Sequence, residues 1–282
     1  MHIKPFDFNI HLSGGQESDR EFWLAKETSN DVHGLRQCYQ TVRGQLRSAL
    51  SGANFMLFNQ DLPFLDVDLG SWITEVRLDF PTSIFTQLLD FRRPFLEQAL
   101  LRLKTFGVQG VKFHSYVQKI GNSDIRRAVE AAEIAAAHGF YICIDASYGT
   151  TWMYDFDNML LAANIVRAVK DVPVVILHSG GARRWDAMLL ALDAPNVYLE
   201  TSFTLNYFEG SSVESDLAFI YRKIGLDRIL YASDFPYVSL DDSFRCIERF
   251  LERHGFGAFE SDAVLVTTAK KLIGKVDVPS RR

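Results

Sequence analysis

Short apolar runs in this sequence repeatedly end in side chains that can carry protons or charge: Asn9 and His11, Lys112 and His114, Asp145, His178, Glu200 or Thr201, and Asp234. Imidazoles and carboxylates are the groups that move protons near neutral pH, and a lysine ammonium beside them supplies fixed positive charge. Such a set can activate water against a carbonyl, hold a divalent ion, or do both. Burying charge is costly unless it is paired or coordinated, so packing alone is a poor account of so many ionisable run ends. Each has a plainer reading by itself: His178 as a hydrogen-bonded structural histidine, Asp234 as a turn former before Phe235-Pro236, Lys112 as half of a structural ion pair.

The elements that must position these groups follow from periodicity. In the run from residue 6 to 12, alternation puts Asp7, Asn9 and His11 on one face and Phe8, Ile10 and Leu12 on the other. Further strands are expected at residues 52–58, 72–80, 110–114, 141–145, 174–178, 197–201 and 228–234. Helical patterns are expected at 32–51, at 95–106 with Gly107 as its stop, at 124–138 with Asn122 or Ser123 as cap and Gly139 as stop, and at 158–170. Eight strands alternating with helices, most of them continuously apolar as if buried on both faces, imply an α/β fold of the (β/α)8 TIM-barrel type. An open doubly wound sheet would carry a glycine-rich phosphate turn after its first strand, and Ser13-Gly14-Gly15 does not match that pattern. In a barrel the carboxyl-terminal strand ends converge on one face, which is where the polar groups fall.

With 282 residues and 48% hydrophobic content, the chain can bury a large core, and no linker composition divides it, so residues 1–282 are expected to form a single domain. A net charge of −5 with interspersed signs shows no basic surface for nucleic acid or an anionic membrane. The three cysteines, Cys38, Cys143 and Cys246, lack metal-binding or paired spacing, which fits a reducing compartment. No apolar run approaches the ~20 residues a bilayer requires. The expectation is a soluble, cytoplasmic protein acting on a small molecule, with a homo-oligomer left open.

The motifs together resemble the amidohydrolase superfamily, in the branch that contains aminocarboxymuconate-semialdehyde decarboxylase and related metal-dependent hydrolases. Gly110-Val111-Lys112-Phe113-His114-Ser115-Tyr116-Val117-Gln118 is similar to that branch's GxKxHPxYQ strand, with Ser115 in place of proline. His178-Ser179-Gly180-Gly181 matches HxGG, Asn196-Val197-Tyr198-Leu199-Glu200-Thr201-Ser202 is similar to NVYxDTS, and the run from Asp227 to Pro236 is similar to DRxxxGSDxP. The resemblance implies a divalent metal held by two first-strand histidines, a fifth-strand histidine and the eighth-strand aspartate, with the sixth-strand histidine working on substrate. His11, His178 and Asp234 match. Asn9 and Asp145 stand where the other two histidines would be.

The implied ligand set is therefore Asn9, His11, Asp145 and Asp234, in which oxygen dominates. Such donors suit Mg²⁺ or Mn²⁺ better than Zn²⁺, and both a single divalent ion and metal-free operation stay open. Three functional readings follow. One is hydrolysis of a small ester, lactone or amide, with Asp234 as general base and His178 or Lys112 polarising the carbonyl. Another is decarboxylation, with Arg183 and Arg184 clamping a carboxylate. The last is a barrel without catalysis that binds a ligand or partner protein. His114 and Trp152 are further candidates for substrate contact, and Trp23, Phe64, Tyr148 and Tyr154 for an apolar pocket wall.

Overall fold

The computed structural model describes residues 3–12, 32–59, 68–147 and 151–275. Eight parallel strands form one sheet in sequence order: β1 (Phe6–His11), β2 (Gly52–Leu57), β3 (Ile84–Leu88), β4 (Gly110–His114), β5 (Tyr141–Asp145), β6 (Val174–Ile176), β7 (Val197–Glu200) and β8 (Ile229–Leu230). First and last strands meet through a parallel bridge between Ile10 and Phe235, with Phe8 N donating to Tyr231 O at 3.0 Å and His11 N to Phe235 O at 2.7 Å. The sheet thus returns on itself as a (β/α)8 barrel.

Helices connect the staves: α1 (Val32–Ala49), α2 (Leu69–Asp79), α3 (Leu96–Phe106), α4 (Ile125–Ala137), α5 (Asn158–Ala168), α6 (Arg184–Asp193), the short α7 (Thr204–Tyr207), α8 (Ser212–Ile224), α9 (Leu240–Arg253), the short α10 (Ala258–Asp262) and α11 (Thr268–Ile273). Outward strand residues such as Phe55, Phe85, Val111 and Ile142 pack beneath the helix ring. Inward residues, including Phe6, Phe8, Met56, Cys143 and Val175, make a second core, closed by Ala269, Leu272 and Ile273 of α11. Within this inner layer the Thr86 and Tyr141 hydroxyls share the amide oxygen of Asn54, at 2.8 and 3.1 Å. Polar groups this deep persist only when satisfied in this way.

Two local expectations change. The run at 72–80, expected as the third strand, lies mostly in α2, and β3 is Ile84–Leu88 instead. The buried residues of α2 are Leu69, Trp72, Ile73 and Val76, spaced i, i+3, i+4, i+7, so the helical period was present in the sequence. In β3, Thr86 and Gln87 interrupt the apolar run that marks the other staves. The helix stops at Gly107 and Gly139 hold, with φ of +92° and +76°. The α4 cap is Asp124, which makes no side-chain cap bond, in place of Asn122 or Ser123.

The second change is in β1. Its register slips between Asp7 and Ile10, so that Phe8 and Asn9 together oppose the single residue Asn54 of β2. This β-bulge inverts the alternation: Phe6 and Phe8 enter the inner core, whereas Ile10 and Leu12 face the helices. The bulge is pinned by Asp7 Oδ1, which accepts from Asn9 N at 3.1 Å, and by Asn54 Nδ2, which donates to Phe8 O at 3.1 Å. Its consequence is that Asn9 and His11 reach the barrel mouth above the phenylalanines.

Candidate active site

Asp145, at the end of β5, is the centre of the larger half of the site. One oxygen, Oδ2, has three nitrogens around it: Lys112 Nζ at 2.9 Å, His178 Nε2 at 3.4 Å and His114 Nε2 at 3.6 Å. The other, Oδ1, accepts from Ser147 N at 3.0 Å, and the Ser147 hydroxyl in turn meets Tyr116 OH at 2.7 Å. Lys112 and Asp145 are only 2% and 3% exposed in their side chains, so this is a buried ion pair. The Lys112 ammonium also lies 5.2 Å from the centre of the Phe58 ring, and Phe58 packs on His11 and His114.

Asp234 and His11 make the other half. Asp234 Oδ1 accepts from Asn9 Nδ2 at 3.0 Å and lies 3.5 Å from His11 Nε2. Asp234 is 8% exposed, the most open of the ionisable groups gathered here. Its backbone adopts φ +63°, a left-handed conformation that non-glycine residues take only when their surroundings impose it. Asp7 imposes part of it from behind, accepting Ser233 N at 3.0 Å on the same oxygen that holds Asn9 N.

Ser202 joins the halves. Its hydroxyl donates to Glu200 Oε2 at 2.8 Å, meets His178 Nδ1 at 3.0 Å and accepts from Asn9 Nδ2 at 3.3 Å. Glu200 also accepts His178 N at 3.2 Å, and Ser179 Oγ donates to the Glu200 carbonyl at 2.7 Å. These bonds hold the turn Leu177–Arg183, in which His178 and Ser179 have φ of +57° and +49°. The turn replaces the last residues of the expected sixth strand and aims the imidazole at Asp145.

Electrostatics separate the groups. Burial pushes Asp145 toward neutrality, but His114, Lys112 and His178 outweigh it and hold the carboxyl well below its ordinary range. Burial alone would depress His178; the Asp145 charge and hydrogen bond overcome this and raise it to about 9. Burial raises Glu200 and lifts Asp7 to about 7.

The donors expected for a metal, Asn9, His11, Asp145 and Asp234, do not assemble as one ligand set. Asp145 belongs to the Lys112 cluster, and Asn9, His11 and Asp234 to the other. The Asn9 amide turns its nitrogen to the Asp234 carboxylate, an orientation chemistry dictates because the amide oxygen would repel it. Among the described residues no cluster of three or more histidine, cysteine, aspartate or glutamate side chains is disposed to hold a metal ion. As arranged, these residues do not fit one.

The structure therefore brings Asn9, His11, Lys112, His114, Asp145, His178 and Asp234 to one end of the barrel. Three expected substrate contacts do not join them. Arg183 is bound to Asp157 and Asp186, each at 2.6 Å, and Arg184 to Asp216 at 2.9 Å, so both guanidiniums tie surface elements together. Trp152 lies in a 3-10 turn at Thr151–Tyr154, 49% exposed and packed on Phe156. Trp23, Phe64 and Tyr148 lie outside the described residues, and Tyr154 is 92% exposed. Sequence reasoning gave no role to Ser202, Ser147 or Phe58; each sits one or two residues beyond a strand end, the signal that could have found them.

A family model described as amidohydrolase matches residues 65–275, three quarters of the chain. The chain belongs to that family. The match begins after β1, so the amidohydrolase motifs at β4, β6, β7 and β8 lie inside it and Asn9 and His11 outside. No curated protein matches the chain in sequence. Among solved structures, this amidohydrolase is similar to a protein assigned as a 2-pyrone-4,6-dicarboxylic acid hydrolase from Pseudomonas putida: 17% identity, TM-score 0.62, covering 98% of this chain and 99% of that one. A second protein assigned to that activity, from Acinetobacter baumannii with citric acid bound, has 13% identity and TM-score 0.64, covering 96% and 100%. A dihydroxybenzoic acid decarboxylase from Polaromonas sp. JS666, with manganese and the inhibitor 2-nitroresorcinol, has 13% identity and TM-score 0.61, covering 96% of each chain. At these identities the likeness is one of fold. Among the described residues, no helix is long and apolar enough to cross a membrane.

Proposed function

We propose that this amidohydrolase cleaves a small ester or lactone, or the corresponding amide, with Asp234 as general base. The observation that carries the reading is the division of labour across the barrel mouth. Asp234 is oriented by Asn9 and His11 at the more open position, while Lys112 and a His178 that keeps its proton to about 9 gather at Asp145. Titratable groups held in contrasting environments keep a base and an acid ready at one pH.

In this scheme Asp234 takes a proton from water as the water oxygen attacks the carbonyl carbon. The carbonyl electron pair moves to oxygen, where the Lys112 ammonium and protonated His178 stabilise it. Collapse expels the alkoxide, which takes up the proton from Asp234, leaving an alcohol and a carboxylic acid that ionises to the carboxylate by releasing its proton to water, or one hydroxy acid from a lactone. The family membership and the neighbour assigned as a pyrone hydrolase support this chemistry. Decarboxylation leaned on Arg183 and Arg184, which surface carboxylates occupy.

The test is a panel of small lactones, esters, amides and carboxylates, followed by acid release and CO₂ release together. Acid release that disappears in a folded Asp234→Asn variant supports the reading. Wild-type turnover in that variant removes Asp234 as base, CO₂ release without hydrolysis favours a lyase, and no turnover by the wild type favours a binding barrel.

A further inference from the structure

The geometry points to Lys112 as the resident cation of this barrel: its ammonium, anchored by Asp145 and covered by Phe58, fills the electrostatic place for which a metal-dependent relative recruits a divalent ion. Asp145 Oδ2 is ringed by Lys112 at 2.9 Å, His178 at 3.4 Å and His114 at 3.6 Å. An ion bonded to that oxygen at about 2 Å would stand against the ammonium, like charge facing like charge. Phe58 strengthens the bias, because its ring face, 5.2 Å from Nζ, attracts a cation yet offers no lone pair to coordinate a metal. On the opposite side, Asn9 presents amide hydrogens to Asp234 and Ser202, where an imidazole ligand would present a lone pair.

The two departures at Asn9 and Asp145 thus act together. A carboxylate at the end of β5 retains an ammonium as a histidine would not, and an amide on β1 neutralises part of the Asp234 charge by donating to it. The Mn²⁺-holding decarboxylase shows that this architecture can carry a divalent ion. The ammonium has a different use: it is covalently attached and always present, a fixed positive charge beside a developing oxyanion.

This inference rests on reading the cluster as the active site, but its readout is ion binding, so it stands or falls separately from turnover. Full-length wild type, Lys112→Arg and Lys112→Met are each loaded with Mn²⁺, passed over a desalting column and assayed for metal, and the affinity is measured by calorimetry. The expected result is no retained ion in wild type or Lys112→Arg, and Mn²⁺ affinity at least about tenfold higher in Lys112→Met, where the competing charge is gone. A stoichiometric ion in the wild type overturns the inference, as does a folded Lys112→Met that binds Mn²⁺ no better than wild type. Should Lys112→Met fail to fold, Lys112→Arg decides: it keeps the charge, so a retained ion there overturns the proposal and exclusion supports it.

Discussion

Asn9 Nδ2 lies 3.0 Å from Asp234 Oδ1, so the amide of the first strand holds the carboxylate that follows the last. The contact crosses the seam at which the barrel closes. It exists because the bulge after Asp7 rotates Asn9 into the mouth and because Asp7 grips both sides of the seam through Asn9 N and Ser233 N.

Replacing Asn9 by leucine removes the donor to Asp234 and to Ser202 while keeping the approximate volume. Leaving buried acceptors unpaired costs about 1–3 kcal/mol, and the base loses its orientation. The expected outcome is a modest drop in melting temperature with a fall in kcat of about 10- to 100-fold. Unchanged kcat at the best substrate of the panel would show that the seam contact has no part in catalysis.

Asp145→Asn leaves the buried Lys112 ammonium and His178 without their counter-charge, and breaking such a pair costs about 3–5 kcal/mol. The pH dependence has two limbs. Asp145 sits well below its ordinary range, so its contribution is present above the unfolded value of 3.8 and is lost as pH falls through the folded value. His178 is raised from 6.5 to about 9, so its contribution is full below 6.5 and is lost as pH rises toward 9. Denaturant titrations across this range should show both limbs in the wild type and flatten them in Asp145→Asn.

Asp7 behaves in the opposite sense to Asp145. Burial outweighs its hydrogen bonds from Ser233 and Asn9 and lifts it from 3.8 to about 7, so stability declines as pH rises between these values and then levels. Asp7→Asn keeps an acceptor for both backbone donors and removes the titration. The difference in melting temperature, variant minus wild type, is therefore expected to be more positive at pH 8 than at pH 4. Equal differences at the two pH values would rule out Asp7 as the source.

Gly180→Ala tests the turn that carries His178. Gly180 has φ +79°, and an added Cβ would come within 2.7 Å of Ala187 Cβ on α6. Strain in φ and the clash add, for a loss of about 1–3 kcal/mol. Because His178 and Glu200 are bonded through the same turn, activity should fall by more than stability alone accounts for, visible in kcat measured well below the melting transition.

Much of the site was legible because strand ends are a one-dimensional signal. Lys112-Phe113-His114, Ile144-Asp145 and Leu177-His178 read as apolar runs with an ionisable last residue, and a parallel barrel puts such ends on one face. The third stave was harder to read. Trp72, Ile73 and Val76 are as apolar as a strand, while the true β3 carries the polar pair Thr86 and Gln87 and so loses the apolar signature. Arg183 and Arg184 follow His178 closely in sequence, yet Asp157, the N-cap of α5, and Asp216 of α8 take them up.

Local chemistry along the chain determined the fold class, the family and the residues that would meet at the mouth, since periodicity and strand-end chemistry depend only on neighbours in sequence. Tertiary structure alone decided who pairs with whom. That Asp145 holds Lys112 while Asp234 holds Asn9, with Ser202 between the halves, depends on a bulge in β1, a left-handed turn after β6 and the closure of the first strand on the last. Each decides which side chains meet, and a buried charge is stabilised only by the partner that the fold brings to it.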